Sequence, residues 1–164
     1  MCAGMINGGT TPTPRETADA FTAAYNAHDL SATTALYRPD VVLVAPDEEL
    51  KGREQVGEYL RAFAQAFPDG DVEVIARIDS GDSTVDEWVF HGTHTGFLLT
   101  SDGETLPPTG ARVSVRGVDI QTHQSGGIAI HRRYFDRVQF LTQLGLMPGP
   151  RRPARPSATT GALP

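Results

Sequence analysis

The chain's 164 residues, 39% hydrophobic and 21% charged, suit a single globular domain and contain no run near the roughly 18 apolar residues of a membrane span. A formal net charge of −6 argues against a nucleic-acid binder, whose affinity rests on neutralising phosphates. The single cysteine, Cys2, excludes an internal disulfide and a thiolate metal cluster, and without a charged-then-apolar leader a cytoplasmic location is expected.

Residues 1–13, rich in Gly, Thr and Pro, read as a disordered tail. A helix follows with Thr13 as its cap, Pro14 first and Glu16 third; Ala18, Phe21, Ala24 and Tyr25 then recur at helical spacing. Asn26-Ala27-His28-Asp29 ends it, with Asn26 as the helix-end cap. A short second helix is expected from Leu30 to Tyr37, before Pro39, and a strand from Val41 to Ala45. After a loop with Pro46 and the loop carboxylate Asp47, a third helix starts near Arg53. It carries Val56, Leu60, Phe63 and Phe67 on one face and stops at Pro68-Asp69-Gly70.

The second half reads as strands: Val72 to Ile78, then Thr84 to Gly96 with Trp88, Phe90, Gly92 and His94 on one side. A Pro/Gly-rich insert, Phe97 to Gly110, leads to two long strands within Arg112–Asp136, joined by a tight turn at Ser125-Gly126-Gly127. A last helix spans Arg137 to Leu144, and residues 148–164 read as a disordered Pro/Arg-rich tail. Helices first and an antiparallel meander after them predict an α+β domain over residues 14–147, with the helices packed on one face of a curved sheet.

Side chains two apart on a strand share a face. Val113, Val115, Gly117 and Asp119 therefore share one face of the first long strand, and Ala129, His131, Arg133 and Phe135 a matching face of the second. An acid is thus set beside a cation and an imidazole among apolar groups. Burial raises a carboxyl pKa and a nearby cation lowers it, so Asp119 can stay ionised and act as a base. Arg133 can orient that carboxylate or hold a substrate enolate or carboxylate. The same pair is equally what a buried structural ion pair looks like, and His131 reads as either a second acid/base or a core histidine. Tyr25, Trp88, Phe90, His94, Val115, Gly117 and Phe135 are the candidate wall of a hydrophobic small-molecule pocket. His91 and His94 fall on opposite faces and no convergent ligand set is visible, so no metal site is expected. His28 and His123 read as exposed. Val118 and Ile120 make the outer sheet face apolar too, and covering it predicts a homodimer.

AYNAHD, ELKGREQVGEYL, GTHTG, PPTGARVSVRGVDI and FDRVQFLTQLGLMP resemble the SnoaL-like proteins. These are polyketide cyclase relatives, often labelled ester cyclases, in the cone-shaped fold shared with nuclear transport factor two and ketosteroid isomerase. The resemblance runs from Arg15 to Pro148. It implies a conical sheet with about three helices on its concave face, a deep apolar pocket, a homodimer or higher oligomer, and no metal or organic cofactor. It also implies a cofactor-independent cyclase or isomerase of polyketide-like, hydrophobic oxygenated intermediates in natural-product or antibiotic biosynthesis, with no nucleic-acid or membrane partner. In those cyclases an aspartate of the last strand is the acid/base, helped by a histidine on the strand before it. These positions are Arg133 and Asp119 here, so the sequence departs from the pattern at both, while the preceding histidine of the last strand is retained as His131. Loss of that aspartate favours a non-catalytic binding or accessory module. An epoxide-hydrolase-like enzyme needs acid–Arg–acid machinery, whose second acid is not apparent in the sequence.

Overall fold

The first helix begins where a capping box permits. In the computed structural model, which describes residues 10–100 and 103–148, the Glu16 N–H donates to Thr13 Oγ1 (3.2 Å) and the Thr13 N–H to Glu16 Oε2 (2.8 Å). Two orphan donors of the helix end are thereby satisfied reciprocally. Helix α1 (Pro14–Asn26) buries Thr17, Ala18, Phe21 and Tyr25, one stripe of an amphipathic helix. Asn26 is not a cap. Its Nδ2 donates to the Val72 carbonyl at 2.8 Å and its Oδ1 accepts the Val72 N–H at 2.9 Å, so it ties the helix end to a strand.

Helix α2 (Leu30–Ala35) ends earlier than expected. Tyr37 opens strand β1 (Tyr37–Ala45) instead, its carbonyl accepting from Arg53 Nε at 2.7 Å. Glu48–Lys51 forms a short strand, β2, where a loop was expected. Helix α3 (Arg53–Ala66) buries Val56, Gly57, Leu60 and Ala66. Then come β3 (Asp71–Ser80) and β4 (Ser83–Thr93). The insert holds a two-stranded ribbon, β5 (Leu98–Leu99) with β6 (Thr105–Leu106). Strands β7 (Arg112–Gln124) and β8 (Gly127–Phe135) and helix α4 (Arg137–Gln143) complete the domain.

The architecture is α+β, with a curved six-stranded sheet in the order β2-β1-β8-β7-β4-β3. Its barrel does not close, since β2 and β3 remain edges, and it is not wholly antiparallel, since β1 runs parallel to β8. Four described helices accompany it. Ser125 (φ 50°) and Gly126 (φ 78°) form the two-residue loop between paired Gln124 and Gly127. Positive φ at both is what a type I′ hairpin turn requires.

Two bulges shift which residues face inward. One extra residue in β8, between the pairs Thr122–Ile130 and His123–Ile128, turns Ile128 into the core where Ala129 was expected. A second lies at Ile75 in β3, between the pairs Val74–Trp88 and Ala76–Glu87. Before it Val72 and Val74 face inward; after it Arg77 does, and Ile78 is 66% exposed. Among the described residues no helix is long and apolar enough to cross a membrane. Of the expected tails, residues 1–9 and 149–164 lie outside the described residues; Thr11 and Pro12 lie at the surface beside the Gly126 turn.

Strand β4 stops at Thr93 rather than Gly96 because, after His94 bonds Ala111, the amides turn away. The N–H groups of Thr95 and Gly96 both donate to the Ala66 carbonyl at 3.1 Å, satisfying the end of α3. A Cβ on Gly96 would lie 1.9 Å from the Gln65 carbonyl oxygen, and backbone cannot yield as a side chain would. Gly96→Ala is therefore expected to cost about 1–3 kcal/mol or more, measured as a lowered urea midpoint; an unchanged midpoint would contradict this packing.

Candidate active site

Cross-strand register places four charged residues in one row across the inner face. Arg77 pairs with Asp86, Asp86 with Asp119, and Asp119 with Arg133. Each arginine grips its acid with two parallel bonds. Arg133 Nε and Nη2 lie 3.0 and 2.8 Å from Asp119 Oδ1 and Oδ2, and Arg77 Nε and Nη2 lie 2.5 and 2.7 Å from Asp86 Oδ1 and Oδ2. Arg77 also contacts Asp19 on α1. Both acids are buried. Like charges opposite one another on neighbouring strands repel; the flanking guanidiniums offset that repulsion and leave the row neutral.

Behind Asp119 stands a second pair. His131, fully buried, brings Nε2 to 2.9 Å from Asp119 Oδ2, though off the line of a well-aligned hydrogen bond, so the contact is mainly electrostatic. Its Nδ1 lies 2.7 Å from the Tyr37 hydroxyl. A carboxylate can only accept, so the Nε2 that faces Asp119 carries a proton, and Nδ1 shares a hydrogen bond with the Tyr37 hydroxyl. Burial pushes the Tyr37 hydroxyl's pKa far up and keeps it neutral. Burial works against charge on Asp119 as well, but Arg133 and then His131 outweigh it and hold the carboxyl well below the usual carboxylate range. Arg133 is likewise desolvated, yet Asp119 raises its pKa further, so both partners stay charged.

Asp86, Asp119 and Arg133 of this row, with Gln121, form the polar part of a cavity whose remaining wall is mostly apolar. Phe21 and Tyr25 come from α1, Tyr59 and Phe63 from α3, Trp88 and Phe90 from β4, with Val115, Phe135 and Phe140 opposite. Burial raises the Tyr25 hydroxyl to about 12. Desolvation also raises Tyr59, tempered by the charge of Arg133 and a hydrogen bond to it. The Arg133 Cζ lies 5.7 Å from the centre of the Trp88 ring, within cation–π range. Two of the five guanidinium N–H groups of Arg133 serve Asp119, leaving three for other acceptors.

Tyr25, Trp88, Phe90, Val115, Phe135, Asp119 and Arg133 thus come together on one cavity. Gly117 is not in its wall. A Cβ there would lie 2.4 Å from the Trp88 ring and 2.7 Å from the Tyr134 carbonyl oxygen, so Gly117 makes room for the indole. His94 is also outside the cavity: its Nδ1 lies 3.1 Å from Thr109 Oγ1 and accepts the Thr109 N–H at 3.2 Å, fastening the insert. His123 is buried rather than exposed, its Nε2 3.2 Å from Thr84 Oγ1, because the inward alternation of β7 continues that far. Asp47 pairs with Arg137 at 2.9 Å.

Several cavity groups were not singled out from the sequence. Asp86 and Gln121 carried a usable signal, lying two positions from Trp88 and from Asp119 and so on the same faces. Tyr59 carried one as well, since it lies three residues after Val56 and four before Phe63 and so falls within the helical stripe. The second acid, not apparent in the sequence, is Asp86. Its order is Arg–Asp–Asp–Arg, however, and not acid–Arg–acid. Among the described residues no three His, Cys, Asp or Glu side chains gather as metal ligands.

Residues 18–131 match the SnoaL-like domain family. The chain belongs to that family. Among solved structures, this SnoaL-like chain is similar to AclR of Streptomyces galilaeus, described as a candidate hydroxylase, at 26% identity and a TM-score of 0.70, over 83% of this chain and 87% of that one. It is similar to IdmH of Streptomyces antibioticus, described as a candidate polyketide cyclase, at 26% identity and a TM-score of 0.67, over 82% and 99%. A candidate SnoaL-like polyketide cyclase of Jannaschia sp. CCS1 shares the fold at 21% identity, TM-score 0.73, over 88% and 100%. No curated protein matches the chain. At the level of the family, the SnoaL-like relatives point to an enzyme.

The Asp119 carboxyl titrates below its unfolded value of about 3.9. Its contribution to stability is complete above that pH and is lost as pH falls toward the folded value. Asp119→Asn strands the Arg133 charge, at a cost of about 3–5 kcal/mol near neutral pH. Urea midpoints of wild type and variant are expected to differ most above about pH 5 and to draw together progressively as pH falls below about 4 toward the folded value; a gap independent of pH would refute the ion pair.

Proposed function

We propose that the protein is a cofactor-independent cyclase or isomerase of a hydrophobic, oxygenated, polyketide-like intermediate, working by acid/base chemistry in this cavity. The carrying observation is the Asp119–Arg133 pair, bidentate and buried, in a mostly apolar wall. Asp119 takes a proton from carbon next to a substrate carbonyl, and the electron pair moves onto that carbonyl oxygen. The free N–H groups of Arg133 and the Tyr59 hydroxyl hold the resulting enolate, and the indole N–H of Trp88, buried without an acceptor among the described residues, is a further donor. In a cyclisation the enolate carbon then bonds to a second carbonyl carbon, whose oxygen recovers the proton from Asp119. In an isomerisation the proton returns to a different carbon.

A carboxylate held below its usual range is a weak base. The reading therefore favours substrates whose C–H is already acidic, as between two carbonyls, where a positioned base adds about 10²–10⁴-fold. Asp119→Asn is expected to cut turnover by about 10²-fold or more in a protein that still folds and binds. A second reading, ligand binding without turnover, is favoured by the fact that both Asp119 oxygens are taken by Arg133. Full activity of folded Asp119→Asn would end the catalytic assignment, and binding without turnover in wild type would establish the second reading.

The proposal includes a homodimer through the outer sheet face. Val85, Val118 and Ile120 are only half-buried there, and Ile78 and Tyr134 are at least half exposed, an apolar area that favours cover. Static light scattering at micromolar concentration is expected to give twice the chain mass, and the chain mass itself would refute the dimer.

A further inference from the structure

Gln121 is a cavity-wall side chain that no group among the described residues fully satisfies. It is 1% exposed, lines the cavity, and its Oε1 has no hydrogen-bond partner among the described residues. Its cross-strand neighbours, Thr84 and His131, are engaged elsewhere: Thr84 with His123 and His131 with Tyr37 and Asp119. A buried amide oxygen left unpaired is destabilising, and an apolar side chain of the same shape would avoid the penalty. With an apolar cavity on one side and occupied partners on the other, the ligand is the source of the missing bond.

We propose that Gln121 determines specificity by reading a hydroxyl on the ligand. A hydroxyl both donates and accepts, so it matches the amide whichever end meets it. Gln121 is one inward step along β7 from Asp119, roughly 6.8 Å of strand. The hydroxyl it reads therefore sits along the strand from the Asp–Arg row, not at the reacting carbonyl. The ligand class is a carbonyl compound with a hydroxyl remote from the reacting centre. Sites built to bond a hydroxyl discriminate against its absence far better than apolar walls discriminate by size. The inference rests on the cavity being the ligand site, as in the function proposed above.

The test uses binding, so it does not depend on turnover. The probes are 2-hydroxyanthraquinone and 2-methylanthraquinone, alike in rings and size and different in the donor. Trp88 is the only tryptophan and lines the cavity, so quenching of its fluorescence reports occupancy. Wild type is expected to bind the hydroxyl probe about 10-fold more tightly than the methyl probe. Gln121→Met is expected to bind the two alike, with Gln121→Leu as the alternative should the first fail to fold. Equal binding by wild type, or a preference that survives in either variant, overturns the role of Gln121 while leaving the cavity a ligand site. Binding of neither probe by wild type overturns both the role and the site.

Discussion

The sheet is held to one register by four buried charges. Arg77, Asp86, Asp119 and Arg133 come from four successive strands, and each acid is tolerable inside only because a guanidinium reaches it. A slip of one residue on any of the four would send a charge to the outer face and leave its partner buried alone, which costs several kcal/mol. The hydrophobic clusters on either side do not impose that precision. One gathers Tyr37, Val41, Leu43 and Ile128 beneath α1 and α3, and the other Phe67, Phe90, Val113 and Phe140 toward α4; apolar contacts of this kind tolerate repacking.

The row also limits what the site can do. Relative to the cyclase pattern that the chain resembles, the acid stands one strand earlier, as Asp119 on β7 where the pattern has a histidine, and Arg133 on β8 takes the place of the aspartate. The change keeps both groups at the cavity but couples them tightly, so charge is always available while basicity is reduced. The His131–Tyr37 pair behind Asp119 is shut off from solvent. It fixes the carboxylate from the side away from the cavity, and positioned groups of that kind spare reorganisation when charge moves.

Much of this was legible because alternation on β4 and β7 is uninterrupted. Asp119, Val115, Trp88 and Phe90 fall where a period of two places them, and the Thr13–Glu16 pattern sets the start of α1. What escaped has local causes. The bulge at Ile75 reverses the polarity of β3, so a pattern that reads Ile78 as core and Arg77 as surface is inverted. Tyr37 follows a helix so closely that nothing marks the change to strand, and its role depends on β8, 94 residues later. The histidines show the opposite limit: His94 and His123 lie on inward faces, yet both are spent on threonines, and pairing of that sort has no signature in the chain.

The parallel pairing of β1 with β8 has a consequence for how the molecule assembles as it is synthesised. Strand β1 is complete by Ala45, but its inner neighbour begins only at Gly127. Until then Tyr37, Val41 and Leu43 have helices to collapse on and only the short hairpin partner β2 beside them. Closing so long a loop adds chain entropy to the barrier, the usual reason that distant strand pairs form late. The nascent chain must therefore shelter a half-paired apolar strand while more than eighty further residues emerge, and the early hairpin and the two first helices are the elements available to shelter it.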